Sequence, residues 1–123
     1  MNIKEDELNI VDVYADTFDE RMDEIVKIAE QYPIIGIDTE FPGTFPDHAI
    51  ISALSSKEPL CPLVQKYQKF KLNCDNMKLI QLGISFCNAK GEFPEHGPHA
   101  FNFNFHFDVE NDLSNENSIQ LLR

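Results

Sequence analysis

A chain of 123 residues that is 42% hydrophobic suits one domain with a modest core, and it holds no apolar run long enough to span a membrane as a helix. Its formal charge of −11 excludes a general nucleic-acid coat protein, which needs a basic surface. Cys61, Cys74 and Cys87 are odd in number and form no CxxC pair, so they are expected as free thiols in a reducing compartment.

Residues 1–10 are polar, too acidic for a secretory signal, and expected to fray. Val11-Asp12-Val13-Tyr14 is a short strand or an ordered lead-in. Thr17-Phe18-Asp19-Glu20 has the spacing of a capping box, with Thr17 at the cap and Glu20 three residues on. Phe18, Met22, Ile25, Val26 and Ala29 follow at helical spacing and predict a core-facing stripe. Pro33 limits that helix to about Glu30 or Gln31. Ile34 to Thr39 predicts a strand, and its near-continuous apolar run predicts an interior position covered on both faces.

Two carboxylates, Asp38 and Glu40, close that strand before it breaks at Pro42-Gly43. A strand repeats every two residues, so both emerge on one face, about 7 Å apart at Cα. Carboxylates this close repel unless a positive charge joins them, and a divalent metal is the natural candidate. By themselves the same residues also describe a solvated acidic strand end.

Residues 43–65 contain Pro46, Pro59 and Pro62 among serines and predict a long loop, with one turn of helix at most. A loop of this length beside a carboxylate pair suits the wall of a site. Gln65 to Leu72 is expected to be helical, with a further turn starting at Asp75 or Asn76. Leu79 to Cys87 alternates Ile80, Leu82, Ile84 and Phe86 with Gln81, Gly83 and Ser85, as a strand does. Asn88-Ala89-Lys90-Gly91 is a turn. Phe101, Phe103, Phe105 and Phe107 alternate with Asn102, Asn104 and His106, which predicts a strand with one aromatic and one polar face. Ser114 opens a final helix with Ile119, Leu121 and Leu122 on its apolar side. The chain stops inside that pattern at Arg123, so a truncated domain is expected.

Charge is uneven along the chain. Residues 1–30 carry ten acidic and three basic side chains, whereas Lys57, Lys66, Lys69, Lys71 and Lys78 face only Glu58 and Asp75 within residues 57–78. A phosphate backbone can approach the second region, although the lysines equally describe an ordinary solvated face. An acidic protein can still be a nuclease, because bound metal reverses the potential of a carboxylate site.

These segments together resemble the amino-terminal part of the Caf/Pop-type deadenylases, nuclease subunits of the Ccr-Not complex. That family belongs to the DEDD superfamily of 3′–5′ exonucleases, with a ribonuclease-H-like fold. The resemblance is carried by Val11 to Tyr14, by Phe18 through Glu30, and by the metal-site signature Ile37-Asp38-Thr39-Glu40-Phe41-Pro42-Gly43. It continues through Tyr67-Gln68, Asn73, Asp75 and Lys78 to Gly83, then Phe101 to Phe105 and Ser118 to Leu122.

The resemblance implies an α/β fold: a ribonuclease-H-like mixed sheet with flanking helices, truncated, formed by residues 1–123 as the amino-terminal portion of one exonuclease domain. It implies shortening of mRNA poly(A) tails with release of 5′-AMP by two-metal hydrolysis using Mg²⁺ or Mn²⁺. Asp38 would contact both ions and Glu40 the ion nearer the nucleophile. Poly(A) RNA and Ccr-Not subunits, including the large scaffold and a second deadenylase, are the implied partners, with no membrane and no DNA. The implied location is nucleus and cytoplasm. Two departures stand out: Thr44 to Val64 is longer than the family's segment and lacks its Arg-containing tract, and Tyr14 replaces the usual Trp. The family uses four acids and a histidine, of which only Asp38 and Glu40 have counterparts here. None of Asp75, Asp108, Glu110 or Asp112 falls in a matching motif. The chain alone is therefore expected to be inactive, and the alternative reading is a non-catalytic binding or scaffold remnant.

Overall fold

The computed structural model describes residues 8–45 and 61–116. In chain order they form β1 (Ile10–Val13), α1 (Phe18–Gln31), β2 (Ile34–Glu40), α2 (Pro62–Asn76), β3 (Gln81–Cys87) and β4 (Ala100–Asn104). They fall into two compact units. One holds the four strands and α1, and the other holds α2 with residues that flank it on both sides.

In the first unit the strands lie in the order β1-β4-β3-β2. β2 pairs antiparallel with β3, β3 antiparallel with β4, and β1 parallel with β4. This is a mixed sheet of the ribonuclease-H-like kind, as expected. Alternation separates its faces. Val11, Val13, Leu82, Ile84, Phe86, Phe101 and Phe103 share the apolar face, while Asp12, Asp38, Glu40, Gln81, Gly83, Asn102 and Asn104 share the other.

α1 covers the apolar face. Ile25, 6% exposed, is buried with Val13, Phe86 and Phe101, and Met22, Ile28, Ala29 and Tyr32 pack around them. Phe86 meets Phe101 edge to face at 6.2 Å between ring centres, and Phe18 meets Phe103 at 6.1 Å. Ile28 joins this cluster, whereas Val26, expected in the stripe, is 54% exposed. The two residues lie about 160° apart in opposite senses around the helix axis, and the helix rolls toward the Ile28 side.

The capping box does not form. Thr17 makes no side-chain cap bond. Its hydroxyl instead accepts from Tyr14 N at 3.1 Å and donates to Tyr14 O at 3.2 Å, closing the turn that leads into the helix. Asp19 and Glu20 still place negative charge in the first turn, where the helix dipole favours it.

Two further features of the sheet differ from expectation. β2 occupies a sheet edge and is exposed throughout, so the apolar run does not mark an interior strand among the described residues. β4 ends at Asn104, although Phe105 N still donates to Ile80 O at 2.9 Å. The aromatic alternation outruns the strand because β3 begins opposite Asn104 and β1 ends opposite Phe103.

The second unit shows the other difference. α2 starts at Pro62 and runs unbroken for 15 residues, so 62–65 are not loop and no new turn starts at Asp75 or Asn76. Proline suits a first helical position, since its missing N–H would have no partner there and its φ is already helical. Residues 46–60 of the expected loop lie outside the described residues. Asn73 ties α2 to the preceding segment by accepting from Phe45 N at 2.7 Å. Helical structure resumes at Glu116 rather than Ser114, and Ile119, Leu121 and Leu122 lie outside the described residues.

Candidate metal centre

Asp38 and Glu40 occupy alternate positions near the end of β2 and project from the polar face, opposite the one that α1 covers. The β3 partners of Gly36, Asp38 and Glu40 are Ser85, Gly83 and Gln81, and the β4 partner of Gly83 is Asn102. Together they line a shallow cleft of about 330 Å³.

Glycine keeps this floor low. A Cβ on Gly83 would stand 3.3 Å from Asn102 Oδ1 and 3.8 Å from Asp38 Cβ. The missing side chain therefore leaves open space between Asp38 and the Asn102 amide. A Cβ on Gly36 would stand only 2.7 Å from Ser85 Oγ, so any larger residue there requires the serine hydroxyl to turn aside.

Asp38 Oδ1 accepts from Thr39 N at 3.0 Å, and its other oxygen has no hydrogen bond among the described residues. Among the described residues neither Asp38 nor Glu40 belongs to an ion pair. Two uncompensated carboxylates beside amide oxygens are a hard-oxygen donor set, the kind Mg²⁺ and Mn²⁺ prefer. Among the described residues no group of three or more His, Cys, Asp or Glu side chains could hold an ion.

Of the lysines singled out in the sequence, Lys57 lies outside the described residues, and two others are held in ion pairs. Lys71 is paired with Asp75 and Lys78 with Asp112. The hydrogen bond and charge of Asp75 raise the Lys71 pKa above its ordinary value.

A model of the CAF1 family ribonuclease matches residues 13–122. The chain belongs to the CAF1 ribonuclease family. Over 117 residues it is 34% identical to the CCR4-NOT transcription complex subunit 7 of Caenorhabditis elegans, covering 95% of this chain and 35% of that protein. Over 126 residues it is 32% identical to the probable CCR4-associated factor 1 homolog 7 of Arabidopsis thaliana, covering 98% and 43%. Over 113 residues it is 30% identical to the poly(A) ribonuclease pop2 of Schizosaccharomyces pombe, covering 92% and 31%. The chain thus spans between about a third and two fifths of these curated relatives.

Solved structures agree. S. pombe Pop2p in its Mg²⁺- and Mn²⁺-bound form superposes with a TM-score of 0.75 at 29% identity, covering 92% of this chain and 42% of that one. Yeast CAF1 co-crystallized with the NOT1 MIF4G domain superposes with a TM-score of 0.68 at 28% identity, covering 96% and 41%.

Sequence reasoning singled out the two acids of the family signature and missed Gln81, Gly83 and Asn102. Their signal was the polar half of each strand's alternation. It becomes informative only once the pairing register shows which polar positions stand beside Asp38 and Glu40.

Proposed function

We propose that this chain carries the first two metal ligands of a 3′–5′ exoribonuclease that shortens poly(A) tails. The observation that carries the reading is Asp38 and Glu40 side by side over an open cleft, in a chain that matches the CAF1 ribonuclease family along nearly all its length. In the reaction water adds to the terminal phosphorus and the P–O3′ bond breaks. The 3′ oxygen takes up a proton, giving 5′-AMP and an RNA one nucleotide shorter. Divalent ions supply neutralisation of phosphate charge and a source of hydroxide at neutral pH. Asp38 and Glu40 hold those ions. The cleft floor, kept low by Gly83, gives the terminal phosphate access to them.

Residues 1–123 correspond in this reading to one portion of the exonuclease domain, and Mg²⁺ or Mn²⁺ is its cofactor. Its partners are poly(A) RNA and Ccr-Not subunits, including the large scaffold and a second deadenylase, in nucleus and cytoplasm. The names of the relatives support poly(A) ribonuclease activity and association with the CCR4-NOT complex in general. A second reading, a docking module without catalysis, is favoured by the lack of a third ligand among the described residues.

The deciding experiment is Asp38→Ala in a protein that contains this chain and the family's remaining ligands, assayed on oligo(A) RNA with Mn²⁺. Release of AMP falls at least about 100-fold, since a displaced ion forfeits most of the transition-state stabilisation. Thermal stability without metal stays level or rises slightly, because a like-charge repulsion is relieved. Metal-dependent cleavage retained by the variant rejects the assignment. Absence of cleavage in the unmutated protein favours the docking module.

A further inference from the structure

Three side chains form a directed relay across the polar face of the sheet. Asn104 donates from Nδ2 to Asp12 Oδ1 at 3.1 Å, and Gln81 donates from Nε2 to Asn104 Oδ1 at 2.8 Å. Chemistry forces the direction. An ionised carboxylate only accepts, so Asn104 turns its nitrogen to Asp12 and its oxygen to Gln81. Gln81 must then turn its own nitrogen to Asn104. The oxygen of a planar amide lies on the other branch, so Gln81 Oε1 is turned away from Asn104.

β3 lies between β4 and β2, and the β2 residue opposite Gln81 is Glu40. Gln81 lines the same cleft as Asp38 and Glu40. Its Oε1 accepts no hydrogen bond among the described residues. Orientation matters here because the two ends of an amide have opposite polarity. The oxygen attracts a cation and adds no net charge to a site that already holds two carboxylates, whereas the NH₂ end repels a cation.

Resting on the reading of Asp38 and Glu40 as metal ligands, we propose that Gln81 Oε1 is a further hard-oxygen donor to the divalent cation on the Glu40 side of the cleft. Asn104 and Asp12 are its positioning residues. Asp12, on the opposite edge strand, thereby governs metal affinity without touching the metal.

The test is a Mn²⁺ titration of the protein that contains this chain and the family's remaining ligands, followed by paramagnetic broadening of amide signals in NMR, with thermal unfolding measured in chelator. In the unmutated chain the Gln81 side-chain NH₂ signals broaden together with the backbone amides of Asp38 and Glu40. Gln81→Met and Asp12→Leu each weaken Mn²⁺ binding about tenfold, the lower end of what outer partners of metal ligands contribute. Asp12→Asn, which keeps an acceptor oxygen but loses the forced direction, falls between them and the unmutated chain. A merely structural relay lowers the unfolding midpoint and leaves the Mn²⁺ affinity of folded Gln81→Met unchanged, which overturns the proposal. Asp12 is exposed, so its variants are compatible with the fold, and Gln81→Met gives an independent reading. Asp38→Ala separates the two levels. If it abolishes Mn²⁺ binding while Gln81→Met does not weaken it, this inference alone falls. If Asp38→Ala binds Mn²⁺ normally, or the unmutated chain shows no broadening, the metal-site reading falls as well.

Discussion

Asp112 shows how one side chain sets a pH limit on the second unit. Its Oδ2 accepts from Asp108 N at 2.9 Å, and its Oδ1 is paired with Lys78. The backbone hydrogen bond, then the lysine, hold its pKa below the ordinary 3.8. A depressed carboxylate contributes stability that is present above the unfolded value and lost as pH falls through the folded value. The difference in unfolding midpoint between the unmutated chain and Asp112→Asn is therefore constant near neutrality. It shrinks once pH drops below 3.8, and a difference that instead grew with acid would contradict this account. Gly83 is the other residue with an outsized part. Gly83→Ala brings a methyl to 3.3 Å from Asn102 Oδ1, so the amide must give way. The amide borders an open cleft and can shift, so the change in denaturant midpoint should correspond to under about 1 kcal/mol.

Among the elements, α1 carries most of the first unit's core. Ile25 is its one buried residue and meets Val13, Phe86 and Phe101 from three different strands. Ile25→Ala removes that junction and should destabilise the chain by about 2–5 kcal/mol in chemical denaturation. Val26→Ala, one residue on but outward, should cost under about 1 kcal/mol, since little packing is lost on an exposed face and alanine favours the helix more than valine does. The pair tests the observed roll of the helix, which puts Ile28 on the core side in place of the expected Val26. The start of α2 was hidden for a different reason. Three prolines in residues 43–65 read as loop punctuation, yet Pro62 occupies the one helical position that tolerates proline.

At the scale of the whole molecule, β2 is an edge strand among the described residues, and its apolar residues reach solvent, with Ile37 at 70% exposure. On α2, Leu63, Tyr67 and Phe70 are also exposed, at 75%, 63% and 68%. Open edges and contiguous apolar side chains drive association. The 123-residue chain should self-associate at micromolar concentration in sedimentation, and Ile37→Lys should shift it toward monomer by putting charge on the edge strand. The same preparation should release no AMP from oligo(A), because two carboxylates do not hold two ions in fixed coordination. Robust release by a soluble monomer would mean that further ligands complete the site.

The sequence by itself determined what depends on local period. Strand alternation put Asp38 and Glu40 on one face, divided Leu82 to Phe86 from Gln81 to Ser85, and placed the phenylalanines of β4 on the core side. Helical spacing gave Phe18, Met22, Ile25 and Ala29 a common face, but it also put Val26 there, which faces solvent. These follow from backbone geometry, which each residue shares with its neighbours. Only the tertiary structure decided which strand lies beside which. Nothing local to Asp12 indicates that β1 runs parallel to β4, or that its carboxylate meets Asn104 across a separation of 92 residues. Nothing local to Gly83 indicates that it faces Asp38. The apolar run of β2 reads the same whether the strand lies inside a sheet or at its edge, since burial is set by partners distant in the chain.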